Sequence, residues 1–396
     1  MKNTSQLKSC YGCGVCAASC PKQLIDLRLD KDGFYEPYIV DLKKCTNCGL
    51  CVNICAYLRD KPELSVNCID AYASWSNDKD IRRFCSSGGI AFEISKLLIQ
   101  HGYKVIGVRY NVEKQRAEHY IANNIEDLIQ SVGSKYIQSY TVEGLLNINR
   151  KQKYVFTGTP CQVDSFRRYI RKFKIEDNFV LLDFFCHGVP SMIVWNKYLQ
   201  EVERSINLVN NVAWRHKDSG WHDSWVIALD GEQGKPFNTK DIKVILKDRT
   251  YSYMSKLSQG DLFFRYFLSD TCLGKACYKQ CKYKYINSSA DIRFGDLWGS
   301  TYSKNEDGVS GVLVFTEKGR NIISQLKDRC TFIEHDVDVV CEGQMRKNPS
   351  TPMILRNIVV RLLRSSLKLG TIYYIFAYPY NLYDRAIHKI QRLLKK

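Results

Sequence analysis

Cys10, Cys13, Cys16 and Cys20 stand at intervals that recur at Cys45, Cys48, Cys51 and Cys55. Each run reads C-x2-C-x2-C-x3-C, with Pro21 after the first, which is the bacterial spacing for cubane iron–sulfur clusters. Three closely set thiolates grip three corners of a [4Fe–4S] cube, and the fourth cysteine of a run ligates the neighbouring cube. The expected ligand sets are therefore Cys10, Cys13, Cys16 and Cys55 for one cluster, and Cys45, Cys48, Cys51 and Cys20 for the other. Structural zinc takes one tetrahedral set from two separated pairs, a pattern these doubled runs do not follow. A disulfide framework needs an oxidising compartment, yet Met1-Lys2-Asn3-Thr4 leads into cysteines rather than the apolar run of a signal peptide. Gly12, Gly14 and Gly49 suit a backbone that folds tightly round each cube and offers amide N–H groups to its sulfurs.

The elements that must position this chemistry follow in order. Asp32-Gly33 between alternating apolar positions reads as a hairpin turn, and Lys61-Pro62-Glu63 closes the cysteine-rich part. From residue 67 strands and helices alternate, with strands over 68–75, 105–110, 117–122, 154–157 and 179–185 and helices over 90–100, 125–129, 162–171 and 191–202. Ser86, Ser87, Gly88 and Gly89 open the helix 90–100, where they suit a bound phosphate or an ordinary serine cap; the residues alone favour the cap.

Two buried strands end in Gly158-Thr159-Pro160-Cys161 and in Cys186-His187-Gly188-Val189-Pro190, at the sheet edge where α/β proteins bind ligands. Cys272, Cys277 and Cys281 form a weaker third group, spaced C-x4-C-x3-C, that needs Cys161 or Cys186 to complete a cluster. That group lacks the order of a radical enzyme's cluster loop. Trp214, Trp221 and Trp225, interleaved with Arg215, His216 and His222, suit a planar anionic ligand or, more commonly, an aromatic core.

At 396 residues the chain exceeds a cluster-binding module alone and has room for two or three domains. Seventeen cysteines without an export signal point to a reducing cytoplasm. The formal charge of +17 raises nucleic acid or an anionic membrane as partner, but the segment from Arg356 to Lys396 holds nine Lys or Arg against Asp384. So concentrated a charge argues against nucleic acid. Ile354, Leu355, Ile358, Val359, Leu362 and Leu363 share one helical face there, the pattern of a helix lying on a membrane or packed on its own domain. The longest apolar candidate, Leu369 to Leu382, contains Gly370 and Pro379 and is too short to span a bilayer.

Residues 5–60 resemble the dicluster ferredoxins. Ser86-Ser87-Gly88-Gly89, Gly133-Ser134-Lys135-Tyr136, Gly158-Thr159-Pro160-Cys161-Gln162, Cys186-His187-Gly188-Val189-Pro190 and Gly295-Asp296-Leu297-Trp298-Gly299 occur in one order. Together they resemble the coenzyme F420 hydrogenase/dehydrogenase β-subunit family over about residues 65–330. The resemblance implies FAD and a further [4Fe–4S] cluster. Carried over, Ser86, Ser87, Gly88, Gly89, Gly158, Thr159 and Asp296 become flavin contacts, and Cys161, Cys186, Cys277 and Cys281 the third ligand set. The last pair departs from the family's commoner C-x2-C, which leaves Cys272 a rival.

The fold expected is α+β: a ferredoxin domain over 1–63, a mixed α/β flavin-binding domain in two parts, 64–150 and 151–330, and a basic helical tail over 331–396. The expected function is an oxidoreductase passing electrons from the clusters to FAD and on to a small organic substrate or deazaflavin coenzyme, in surface polysaccharide synthesis on the family's bacterial pattern. The alternative is a non-catalytic electron-relay subunit of a larger redox complex. His187 is the candidate proton donor, or else orients its loop. A ferredoxin or another electron donor is the expected partner, with the tail at the inner face of a membrane if it does not pack on its own domain.

Overall fold

The computed structural model describes residues 2–64, 66–231, 251–255, 260–350, 355–380 and 382–383. Ile25–Leu29 (β1) and Tyr35–Ile39 (β2) form the expected antiparallel hairpin, turning through Gly33 at a left-handed φ of 82°. Short helices at Val15–Ser19 and Leu50–Asn53 start on Gly14 and Gly49, both also left-handed.

The main sheet comprises Asp70–Ser76 (β3), Lys104–Asn111 (β4), Arg116–Ala122 (β5), Tyr154–Thr157 (β6) and Phe179–Phe184 (β7), with Ile292–Asp296 (β11), Ser310–Val314 (β12) and Cys330–Glu334 (β13). Its order is β13-β3-β12-β11-β7-β6-β4-β5. The central strands β11, β7, β6 and β4 run parallel, and every outer pairing is antiparallel. Period-two alternation gives the sheet two apolar faces. Tyr154, Phe156, Phe179 and Leu181 bury against the helix Pro160–Lys172 on one face, while Val155, Val180 and Leu182 meet the helices Ile90–Gln100 and Glu317–Ser324 on the other.

A third core joins the helices Met192–Ile206 and Leu262–Leu268 to a small antiparallel sheet of Asn211–Ala213 (β8), Ala228–Asp230 (β9) and Tyr253–Met254 (β10). Trp195 and Trp214 meet there with ring centroids 5.0 Å apart, so Trp214 is an aromatic core residue.

The ferredoxin part is not a separate bead. Val15, Ala17, Ile25, Leu27 and Ile54 share one apolar cluster with Tyr140, Val142, Val163 and Phe166. Across that seam Gln138 donates from Nε2 to Tyr11 O (3.0 Å) and accepts at Oε1 from Tyr35 N–H (2.9 Å), holding the ferredoxin part at two points. The sheet likewise crosses the expected division at 150, and strand β13 straddles the one at 330.

The tail's helix, Arg356–Leu362, buries Val359 and Val360 in the third core, followed by Leu363, Leu369 and Ile372. Among the described residues, then, Val359 and Leu363 of the expected face pack on the chain's own core with Leu355 and Leu362 beside them, while Ile358 stays exposed and Val360 takes its place. Arg356 Nη1 lies 3.0 Å from Asp32 Oδ2, so the tail also grips the ferredoxin hairpin. Met353, Ile354 and the cations from Arg385 to Lys396 lie outside the described residues. No helix among the described residues is long and apolar enough to cross a membrane.

Candidate functional site

Two cavities flank the ferredoxin helices. One is lined by Cys10, Cys13, Cys16 and Cys55, the other by Cys20, Cys45, Cys48 and Cys51. Each takes three cysteines from one run and the fourth from the other, the division expected from spacing. The backbone bends round them at left-handed glycines: Gly12 N–H donates to Cys10 Sγ at 3.3 Å, and Leu24 N–H to Cys20 Sγ at 3.4 Å. Amide donors of this kind stabilise anionic sulfur. Burial pushes the Cys10, Cys13 and Cys16 thiols up and Cys55 to about 11, with neighbouring thiols adding to the rise at Cys10, Cys16 and Cys55. Iron held between them would favour the thiolate forms. Among the described residues no three His, Cys, Asp or Glu side chains close in to single-ion range.

A third set of thiols gathers where β6 and β7 end. Cys161 follows β6 in the first turn of its helix, with Thr159 Oγ1 3.2 Å from its sulfur; the helix begins at Pro160, two residues earlier than the pattern suggests, because proline suits a first helical position. Cys186 follows β7, and the helix Lys275–Lys279 and its exit carry Cys277 and Cys281. After desolvation, Cys161 feels the charges of Cys186, Cys13 and Cys277, and Cys277 those of Cys186 and Cys281, which help to push it to about 12. Cys272 stands apart in the third core, raised by burial among apolar side chains.

Two buried cations brace this group, and sequence reasoning missed both. Lys284 Nζ donates to Cys186 O (2.5 Å) and His187 O (2.9 Å). Arg293, with no exposed surface, makes two bonds of 2.7 Å to Asp183 and also donates to the carbonyls of Tyr283, Tyr285 and Asn287. It thus ties the loop after Cys281 to the strand before Cys186. Only the lysines near Cys281 hinted at this in the sequence. His187 Nε2 sits 2.7 Å from Asp270 Oδ1, and Asp270 Oδ2 accepts from Ser350 N–H at 2.8 Å. The pair joins three loops.

The third set also adjoins the first cavity. Cys13 Sγ lies 3.3 Å from Ser165 Oγ, one helical turn beyond Cys161. Tyr11 lines the first cavity, donates to Gln280 O at 2.5 Å, and has its hydroxyl pKa raised by burial and by the charges of Cys161, Cys281 and Cys277.

The residues expected to hold flavin are bonded within the chain. Ser87 Oγ donates to Val309 O (2.9 Å), Gly88 N–H to Ser310 Oγ (3.0 Å), Gly158 N–H to Leu182 O (3.1 Å) and Thr159 N–H to Gln162 Oε1 (2.8 Å). Ser86 Oγ accepts from Ser134 N–H at 3.0 Å. The helix cap is Gly89, at φ 88°, rather than a serine. A Cβ on Gly88 would meet Ser74 O at 2.4 Å, so that glycine serves close packing on the sheet. Asp296 binds Arg215 Nη1 at 2.5 Å and Trp221 Nε1 at 2.8 Å, and the Arg215 guanidinium lies 5.0 Å from the ring centroids of both Trp225 and Trp298. These bonds tie Ser86, Ser87, Gly88, Gly158, Thr159 and Asp296 to neighbouring loops and strands of the same chain.

A ferredoxin-like body sharing its core with a mixed sheet, with cysteines gathered at the carboxyl ends of parallel strands, defines an iron–sulfur electron-transfer protein. Residues 9–58 match the 4Fe-4S dicluster domain, and residues 151–339 match the family described as the C terminus of the coenzyme F420 hydrogenase/dehydrogenase beta subunit. The two matches fall on the two parts of the chain where the motifs led us to expect them. A chain of the F420-reducing [NiFe] hydrogenase complex from Methanosarcina barkeri is similar at 17% identity, over 71% of this chain and 90% of that one, with a TM-score of 0.48. None of the curated proteins compared with it matches the chain.

Proposed function

We propose that the chain is an electron-relay subunit of a larger redox assembly, holding two [4Fe–4S] clusters in its N-terminal cavities and a third on Cys161, Cys186, Cys277 and Cys281. The observation that carries this reading is the grouping of twelve cysteines into three sets, with Tyr11 and Ser165 filling the space between the first cavity and the third set. Bound clusters of this kind carry single electrons. The chain's own part is to hold each set of thiols and keep the first and third in contact. Ser165 does this with one hydroxyl, which meets Cys13 Sγ and accepts from Ala56 N–H at 3.2 Å.

The second reading is the flavin-dependent oxidoreductase, acting on a small substrate or on the coenzyme in the family's description, with a place in surface polysaccharide synthesis. The family description names that coenzyme but neither flavin nor polysaccharide, and the Ser86, Ser87 and Asp296 side chains are already bonded within the chain. In that reading His187 is the proton donor; its bond to Asp270 supports the loop-orienting role instead. Contact of the exposed tail with an anionic membrane is compatible with either.

Iron, acid-labile sulfide and flavin measured together on anaerobically purified protein test both readings. The relay predicts about twelve irons per chain and no flavin after incubation with FAD. About eight irons would remove the third cluster, and stoichiometric FAD would install the oxidoreductase in place of the relay.

A further inference from the structure

We propose that the face around Cys48 is where a small, acidic, one-electron carrier protein docks and exchanges electrons with this chain. The inference rests on the cluster reading above and adds which cavity meets the partner and what surface chemistry that partner carries.

The two N-terminal cavities have opposite surroundings. The first is closed in by the rest of the chain, through Tyr11 and Ser165. The second opens outward: Cys48 is exposed, and a Cβ added at Gly49 would meet nothing within 4 Å. Electron transfer weakens steeply with distance, so a carrier reaches a centre fastest where its ligand shell is itself the surface.

The rim supplies the attraction. Val40 and Leu42, which follow the cavity-lining Ile39 in the chain, leave 64% and 60% of their surface exposed, apolar area small enough for a short-lived contact. Lys22, Lys43 and Lys44 stand exposed around it. Asp41 is the one carboxylate between residues 40 and 50, and it is engaged by Lys44 Nζ at 3.2 Å and by the N–H groups of Lys43 and Lys44. Lys22 Nζ donates to Lys44 O at 3.2 Å, which fixes its charge over the loop. The face is therefore net positive and carries exposed apolar side chains. Such a face steers an acidic partner and sets its on-rate more than its affinity. Each encounter moves one electron, the carrier losing or gaining the one that the chain gains or loses, with no bond made or broken.

Stopped-flow reduction of the iron-loaded, full-length protein tests this. The probes are a reduced acidic [2Fe–2S] ferredoxin and, as a reductant without a docking surface, a reduced zwitterionic viologen. The carrier's second-order rate should fall roughly tenfold between low and high salt. K22E/K43E should lower the low-salt rate by a similar factor and flatten its salt dependence, leaving iron content and the viologen rate unchanged; K327E, on an exposed lysine beyond the helix Glu317–Ser324, should leave all three unchanged. A carrier rate that K22E/K43E leaves intact, or that K327E lowers equally, overturns the docking face. Protein that takes up no iron overturns the cluster reading first, and the docking face with it.

Discussion

Cys272 and Cys277, five positions apart, meet opposite fates. Ser191 N–H donates to Cys272 O at 2.9 Å and Gly274 N–H to Val189 O at 3.0 Å, so residues 272–274 lie antiparallel to 189–191. That pairing turns Cys272 into the apolar core and carries Cys277, through the short helix after Gly274, to the side of Cys186. Spacing alone could not separate these two cysteines, because the pairing that does so is made with a segment some eighty residues earlier. The eight N-terminal cysteines were legible for the converse reason: their geometry is local, and C-x2-C-x2-C-x3-C suffices to describe it. Serine at Cys277 should lower the iron count from about twelve to about eight and remove one cluster signal from the low-temperature EPR spectrum, whereas serine at Cys272 should change neither. Loss of iron from the Cys272 variant alone would exchange the roles of the two.

At the scale of elements, the strands and helices that were read lie within about four residues of the observed ones, since alternation and helical periodicity are properties of short windows, whereas β11, β12, β13 and the helices Leu262–Leu268 and Glu317–Ser324 were not read. The seam between the ferredoxin hairpin and the main sheet was not read either, because it is built from single residues with no pattern: Gln138, Thr141 and two glycines facing them. Gly14 has φ 69°, and a Cβ there would meet Thr141 Oγ1 at 1.9 Å. Thr141 Oγ1 itself donates at 3.0 Å to the backbone carbonyl of Cys13, an expected ligand. Gly14→Ala should therefore cost about 1–2 kcal/mol for its left-handed backbone and more for the clash. Thr141→Ala in the same chain should return most of the clash term and none of the backbone term, read as a coupling energy from denaturant unfolding of the cluster-loaded protein. Strict additivity of the two changes would mean that the seam yields without resistance.

For the molecule as a whole, the sequence located the excess charge but not what the tail does with it. The helix Arg356–Leu362 spends its apolar face on the third core, and Arg356 and Arg364 reach back to the ferredoxin hairpin at Asp32 and Lys31. The tail therefore closes the chain on itself, a tertiary role that an amphipathic pattern cannot distinguish from membrane binding. Beyond it, Tyr374 and Ile375 remain 51% and 59% exposed, with Tyr378 beside them, and the five cations from Arg385 to Lys396 follow in sequence. Tyrosines next to a basic segment suit the boundary of an anionic bilayer, where each cation near the surface adds about 1 kcal/mol that salt removes. The full chain should co-sediment with vesicles containing anionic phospholipid at low salt and be released at high salt. Ending the chain after Tyr383 should abolish that binding while leaving iron content and thermal stability intact, since the packed helix is kept. Equal binding to vesicles of neutral phospholipid, or none to either, would confine the tail to the contacts it makes within its own chain.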